Sequence, residues 1–299
     1  MIGELAALGT ALAWAIAGLM LKRLSGRFHP FFLNNIRCVA AVVLLAVFLF
    51  ATGGFALSPI PLGSGLITIA GTFIAVGLGE SLFIMSLRHI DLSRAYPISL
   101  CGYPLITVAI ALPWLHEDIS GLALLGIATV LVGLYLIAFP GGALLVRFQF
   151  SSVGERTGLI ILLLSVLAYG VGTVLIKLGI GDLDLAFANF LRYGGTALLL
   201  VPFTFPQWGT LRTYQNKWQD LSLAAVSGVL SFGIGGILFL VALDRSGAAL
   251  TSVLSSISPL FLLPMSVFFL KERVTAKLLA GVVLSVLGIC LVFLPRLVL

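Results

Sequence analysis

Gly77-Leu78-Gly79-Glu80-Ser81-Leu82-Phe83 returns 156 residues later as Gly233-Ile234-Gly235-Gly236-Ile237-Leu238-Phe239. Both glycines and the closing Leu-Phe pair recur, and the acid at position 80 becomes a glycine at 236. Upstream, at an offset of 155, Ala13-Trp14 falls on Ala168-Tyr169, Lys22 on Lys177, Asn34 on Asn189 and Arg37 on Arg192. Downstream the offset is again 155, and Pro104 falls on Pro259, Glu117 on Glu272, Ser120 on Thr275, Gly126 on Gly281 and Gly133 on Gly288. Coincidence does not align that many uncommon residues. The chain is a duplication, with a first copy over 1–139, a connection over 140–157 and a second copy over 158–299.

The composition says what is duplicated. Of 299 residues, 60% are hydrophobic and 9% charged, against roughly 45–50% and about 25% in soluble domains. So few charges cannot coat a globule, and the chain must reside in lipid. Apolar runs occupy approximately 3–22, 31–51, 65–87, 92–114, 119–139, 158–177, 185–205, 221–243, 247–270 and 275–295. Each approaches the roughly 20 residues that a spanning helix needs. The expected fold is therefore an all-α integral membrane bundle of ten transmembrane helices, five to a copy. An odd number of spans per copy makes the second copy enter from the opposite side. Inverted repeats of this kind characterise alternating-access transporters, with the substrate site near the midplane.

The second copy also carries Leu270-Lys271-Glu272-Arg273-Val274-Thr275 after a span containing Pro259, and the first a divergent Leu115-His116-Glu117-Asp118-Ile119-Ser120. With five spans to a copy, this resembles the EamA-type repeat of ten-helix transporters in the drug/metabolite transporter superfamily. The resemblance covers nearly the whole chain. It implies secondary active transport, commonly export of amino acids, amphipathic compounds or other small metabolites, from a bacterial-type inner or plasma membrane. An integral membrane enzyme acting on a lipid-linked substrate is the alternative, although it needs convergent acids or histidines that the sequence lacks. A passive channel is a third.

Several polar residues lie inside apolar runs, where ionisable groups are functional suspects by default. Asn34/Arg37 and Asn189/Arg192 are spaced three apart, on one helix face each. Either each arginine snorkels to its headgroup layer while the asparagine bonds across helices, or the pairs are cationic gates for a carboxylate or phosphate. Glu80 lies deep in span 3. It could hold a substrate amine or a coupling proton, or sit as a neutral acid against a neighbouring helix. Pro104 and Pro259 are expected to kink spans 4 and 9, freeing the carbonyls of Leu100 and Ser255. Tyr96, Tyr103, Ser255 and Ser258 stand near them, and with Trp14 and Tyr169 they could line an amphipathic pathway. Spans 1, 3, 4, 6, 8 and 9 are expected to surround it. Glu117 and Glu272 suit the N-termini of spans 5 and 10 beside the capping hydroxyls of Ser120 and Thr275.

Other features constrain partners. The cations are scattered singly, so the net charge of +6 suits lipid headgroups and not nucleic acid. The three histidines do not converge on a metal, and no phosphate-cradling loop is present. No cofactor is expected beyond proton coupling. The partners are a small-molecule substrate and membrane lipids, with the chain a monomer or a homodimer. Glu4 precedes span 1 while Lys22, Arg23 and Arg27 follow it, the reverse of a cleavable signal. Counted by sides, the charges put both termini outside the cytoplasm, whereas the family resemblance puts both inside.

Overall fold

The computed structural model describes residues 1–24, 26–54, 61–90, 92–138, 153–181, 183–205, 217–258, 260–261 and 276–298. Among them secondary structure is helical, without strands. The helices are α1 (Ile2–Leu24), α2 (Pro30–Thr52), α3 (Leu62–Ser86), α4 (Leu92–Trp114), α5 (Gly121–Ala138), α6 (Val153–Ile180) and α7 (Leu185–Thr204). They continue with α8, which runs through Lys217–Gly228, Val229–Ile234 and Gly235–Ser255, and α9 (Ala276–Val298). Six of these elements are long and apolar enough to cross a membrane, and α4, α5 and α9 contain shorter apolar stretches. The burial pattern is that of a lipid-dissolved bundle. Val39, Val43, Val47 and Phe50 of α2 and Leu198 and Val201 of α7 face outwards, while Asn34, Arg37, Asn189 and Arg192 face inwards.

The helix ends follow their local chemistry. Pro30 opens α2, where a missing N–H costs nothing, and Gly53 closes it with φ 70°. The Asp184 carboxylate accepts the Phe187 N–H at the start of α7. Ser120 accepts the Ala123 N–H at the start of α5, the expected cap. α4 stays helical through Pro104, which is buried. α8 ends at Ser255, four residues before Pro259, whose ring would clash with the Ser255 carbonyl in a continued helix. Pro259 itself, and Glu272 with its flanking motif, lie outside the described residues.

α8 contains the sharpest departure from the expected spans. The turn anticipated between 243 and 247 is made at one residue. Gly247 has φ 80° and ψ 173° inside an otherwise continuous run of helical hydrogen bonds. Only glycine adopts that conformation readily.

Packing follows small residues. α1 lies against α8, α2 against α7, α3 and α4 against α6, and α5 against α9. In the last pair the backbones nearly touch. A Cβ placed on Gly126 would meet the Gly288 carbonyl at 2.8 Å, and one on Gly281 the Gly133 carbonyl at 2.8 Å. The seven-residue glycine spacing of both copies thus serves contact within the chain. A core of Ala7, Ala11, Ile127, Val130, Leu134, Ala242, Val253 and Leu254 ties α1, α5 and α8 together.

Two ends of the bundle can be told apart by their ion pairs. At one, Arg27 Nη1 holds both Asp220 carboxylate oxygens at 2.6 and 2.8 Å, joining the far end of α1 to the start of α8. At the other, the terminal amine of Met1 pairs with Glu4 at 2.8 Å, and Lys177 near the end of α6 donates to the Asp244 carbonyl of α8 at 3.4 Å.

Candidate substrate site

Two stretches of irregular helix organise the interior. Phe73–Glu80 in α3 and Val229–Ile234 in α8 are π-helical, and they occupy equivalent positions in the two copies at the 156-residue offset. A π-helical turn disturbs the backbone ladder, and such turns concentrate at functional sites. Side chains from α2, α7, α1 and α6 converge on these turns.

The contacts repeat position by position. Asn34 Nδ2 donates to the Val76 carbonyl at 3.3 Å, and Asn189 Nδ2 to the equivalent Phe232 carbonyl at 3.0 Å. Ser165 Oγ donates to the Gly79 carbonyl at 2.7 Å, and its counterpart Thr10 to the Gly235 carbonyl at 3.4 Å. The asparagine comes from the same copy as the turn it serves and the hydroxyl from the other copy. Each turn is therefore built by both halves of the chain.

The arginines complete the two centres. Arg37 Nη1 donates to Asn34 Oδ1 at 3.0 Å and to Glu80 Oε1 at 2.5 Å, and Nη2 donates to Ser231 Oγ at 3.0 Å. Arg192 Nε donates to Asn189 Oδ1 at 2.8 Å, and Nη2 to the Gly236 carbonyl at 3.2 Å and the Tyr193 hydroxyl at 3.3 Å. Arg37 is 3% exposed and Arg192 2%. Both guanidinium groups are enclosed by protein and not laid along an exposed helix face. Aromatic faces line both guanidinium groups. Arg37 lies 4.2 Å from the Phe232 ring centre, Arg192 4.5 Å from that of Tyr193 and 5.9 Å from that of Phe239. Tyr193 and Phe232 stack at 4.8 Å between the two centres.

Trp14 joins this group. Its indole N–H donates to the Ser231 carbonyl at 3.3 Å, and its ring lies 5.3 Å from Phe239. Tyr103, Tyr169 and Ser255 gather a little apart, between α4, α6 and α8. Tyr103 and Tyr169 meet edge to face at 6.1 Å. The Tyr103 hydroxyl is buried facing Thr173 and Ser255 and hydrogen-bonds to no described residue. Ser255 Oγ donates to the Ser252 carbonyl at 3.2 Å. Ser258 is buried at the end of this hydroxyl row. Tyr96 lies in α4, and its side chain is outside the described residues.

Sequence reasoning paired Asn34 with Arg37 and Asn189 with Arg192 and left Glu80 apart on span 3, and the structure joins Glu80 to the first pair and sets the two pairs in matched centres. α2 and α7, absent from the helices expected around the pathway, supply the arginines. Ser81, which accepts from Asn34 Nδ2 at 3.1 Å, Tyr193, Ser231, Phe232 and Phe239 were missed. Tyr193 adjoins Arg192 in sequence, and Phe239 lies inside the repeated Leu-Phe pair, so both carried a readable signal. Ser231 becomes a partner only through the π-helical turn.

Glu117 does something other than expected. Its carboxylate accepts the Ala248 N–H at 2.5 Å and the Ala249 N–H at 3.0 Å. It caps the limb of α8 that restarts after Gly247, a helix of the other copy, and not α5.

The model of the EamA-like transporter family matches residues 1–139 and again 156–294. The chain belongs to the EamA-like transporter family. An uncharacterized transporter of Archaeoglobus fulgidus is 26% identical over 297 residues, covering 99% of this chain and 100% of the relative. A probable 4-amino-4-deoxy-L-arabinose-phosphoundecaprenol flippase subunit ArnF from Enterobacter sp. (strain 638) is 39% identical over 80 residues, covering 25% of this chain and 63% of the relative. A solved crystal structure superposes with a TM-score of 0.74 at 19% identity, over 99% of this chain and 98% of that one, and shares its fold. Family, fold and apolar helices together make this a multi-pass integral membrane protein.

Proposed function

We propose that this member of the family is a secondary active transporter that exports small metabolites by alternating access between two inverted five-span repeats. The two limbs of α8, separated at Gly247, then count as two spans and bring the total to ten. The observation that carries the reading is the pair of matched centres on the π-helical turns, each made from both copies. Such an arrangement lets the halves exchange conformations about a shared midplane site, as inverted-repeat transporters do. The opposed ends of α1 and α6 support it too. Arg27, just beyond the last turn of α1, meets Asp220, while Lys177 in the last turns of α6 meets the Asp244 carbonyl at the end of the first limb of α8.

Glu80 is the group suited to proton coupling. Its carboxylate lies inside the bundle and is held by one arginine, Arg37. The test is flux in proteoliposomes of the full chain, using substrates drawn from untargeted metabolite profiling of cells lacking and overproducing the protein. Saturable uptake that responds to an imposed proton gradient supports the reading. Non-saturating flux indifferent to the gradient rejects it in favour of a channel.

A second reading has one specific support, the local likeness to flippase subunits. On that reading the cargo is a lipid-linked phosphate. Translocation of a fluorescent polyprenyl phosphate between leaflets separates it from export of a water-soluble metabolite.

A further inference from the structure

We infer that the Asn189–Arg192 centre is an anion-binding site for the carboxylate or phosphate group of the cargo, and that the matching Asn34–Arg37 centre is closed to anions by its own Glu80. The argument starts from charge. Arg37 and Glu80 neutralise one another at 2.5 Å. At the equivalent place in the second copy the acid is replaced by Gly236, and Arg192 meets a backbone carbonyl instead. Its other acceptors, Asn189 Oδ1 and the Tyr193 hydroxyl, are neutral as well. Among the described residues no carboxylate lies within ion-pair distance of Arg192.

Arginine does not shed its proton in proteins, so this charge persists at 2% exposure. An uncompensated buried charge is strongly destabilising, and a mobile anion would relieve it. The group is also equipped to receive one. Nε and Nη2 are engaged, while Nη1 donates to no described residue, leaving one edge of the fork for an oxyanion. Tyr193 and Phe239 flank it, with Trp14 packed on Phe239, and this low-dielectric aromatic surface strengthens any charge pairing made there. Asymmetry between otherwise matched centres is the signature expected when one site serves the ligand and the other serves the scaffold.

This assignment rests on the transporter reading for the ligand's being cargo, so binding and flux are read separately. The full chain is placed in lipid nanodiscs, and its unfolding midpoint is followed against inorganic phosphate, benzoate and a polyprenyl phosphate in the disc, with tetraethylammonium chloride as a cation control at matched ionic strength. A ligand of the folded state raises the midpoint saturably. The expected result is a saturable rise with at least one anion and none with the cation. Apparent affinity should fall at least tenfold in Arg192→Gln and in Gly236→Glu, and in the latter at least tenfold below Gly236→Gln, which puts the same bulk against the Asn189 amide at 2.8 Å without the carboxylate. Arg245→Gln, which removes an exposed cation, should bind as the unaltered chain does. Response to benzoate alone marks a soluble carboxylate cargo, and response to the polyprenyl phosphate alone a lipid-linked one. No saturable rise with any anion overturns the site, as does a rise of equal affinity in both Arg192→Gln and Gly236→Glu. Arg192-dependent binding without flux in proteoliposomes leaves the site standing and removes the transporter. Flux that persists in Arg192→Gln without anion binding does the reverse.

Discussion

Arg37 Nη1 lies 2.5 Å from Glu80 Oε1, across 43 residues of sequence, with the two side chains 3% and 13% exposed. A lone carboxylate in an apolar span is expensive, and so is a lone guanidinium. Their pairing cancels most of both costs, and removing one partner strands the other. Glu80→Gln should therefore destabilise the fold by about 3–5 kcal/mol, read as a lower unfolding midpoint in detergent. The double variant Arg37→Gln/Glu80→Gln should be less damaged than the two single effects added together. Simple additivity would show that the pair is not energetically coupled.

Glu117 holds two N–H groups of the limb that restarts after Gly247. Loss of a helix cap costs about 0.5–2 kcal/mol, and a charged acceptor puts this one at the upper end. Glu117→Ala should lower the unfolding midpoint accordingly, and Asp118→Ala, at the next position in the same connection, should not. Gly247→Ala should be more harmful. It combines φ 80° with a Cβ 2.7 Å from the Glu117 carboxylate, so strain and lost capping arrive together. Hydrogen exchange at residues 248–252 reports the effect where it originates, and unaltered protection in Glu117→Ala would contradict the capping role.

The contact of α5 with α9 depends on bare backbone. Gly133→Leu and Gly281→Leu each put a side chain where a carbonyl of the facing helix already stands, at 2.7 and 2.8 Å. Overpacking of this kind costs about 1–3 kcal/mol. Either variant should broaden or lower the unfolding transition without changing the oligomeric state in size-exclusion chromatography, because both partners belong to one chain. A change from one oligomer to another would place these glycines between subunits instead.

His29 gives a pH dependence with a definite sign. It sits at the N-terminus of α2 outside the apolar span. Burial and then the nearby Arg88 charge hold its pKa below the ordinary histidine value of 6.5. A depressed folded-state pKa means that the neutral ring is the form the fold accepts. Its contribution is present above the unfolded value and is lost as pH falls through the folded one. His29→Gln should flatten the acid limb of the stability profile as pH falls below the ordinary histidine value of 6.5, measured as midpoint against pH. An acid limb of unchanged steepness would assign that loss to other groups.

How far the sequence could be read depended on the range of the interaction. Membrane residence, helicity, the duplication and the oddity of Glu80 against Gly236 are properties of composition and spacing, and they were legible. The burial of Arg37 and Arg192 was not. Distance from a span end measures depth in lipid only when that helix face meets lipid, and here it meets α3 and α8. The pairing of Arg37 with Glu80 and Ser231 depends on two π-helical turns that shift side chains off the regular helical register, and hydrophobic periodicity carries no sign of them. Glu117 was read as a cap because a carboxylate beside a helix start is cheap. Which helix it caps is a tertiary fact, settled by the turn at Gly247.

Burial within the bundle sharpens the charge count that bears on orientation. In the ten-span reading, four of the seventeen Lys and Arg residues (Lys177, Arg192, Arg245 and Arg296) fall on the side of the N-terminus. Arg192 and, from the opposite side, Arg37 are buried within the bundle, so neither belongs in a count of loop charges. What remains is more lopsided, with three cations (Lys177, Arg245 and Arg296) against the twelve that follow α1, α3, α5, α7 and α8. The positive-inside rule counts charges in short loops and puts the N-terminus and the end of α9 outside the cytoplasm. Resemblance to exporters of this family points the other way. A reporter active only outside the cytoplasm, fused after Leu299, should be active, and a cytoplasm-only reporter at the same point silent. The opposite pattern would mean that the family orientation prevails over the charge bias, with Arg27 and Asp220 then facing outwards.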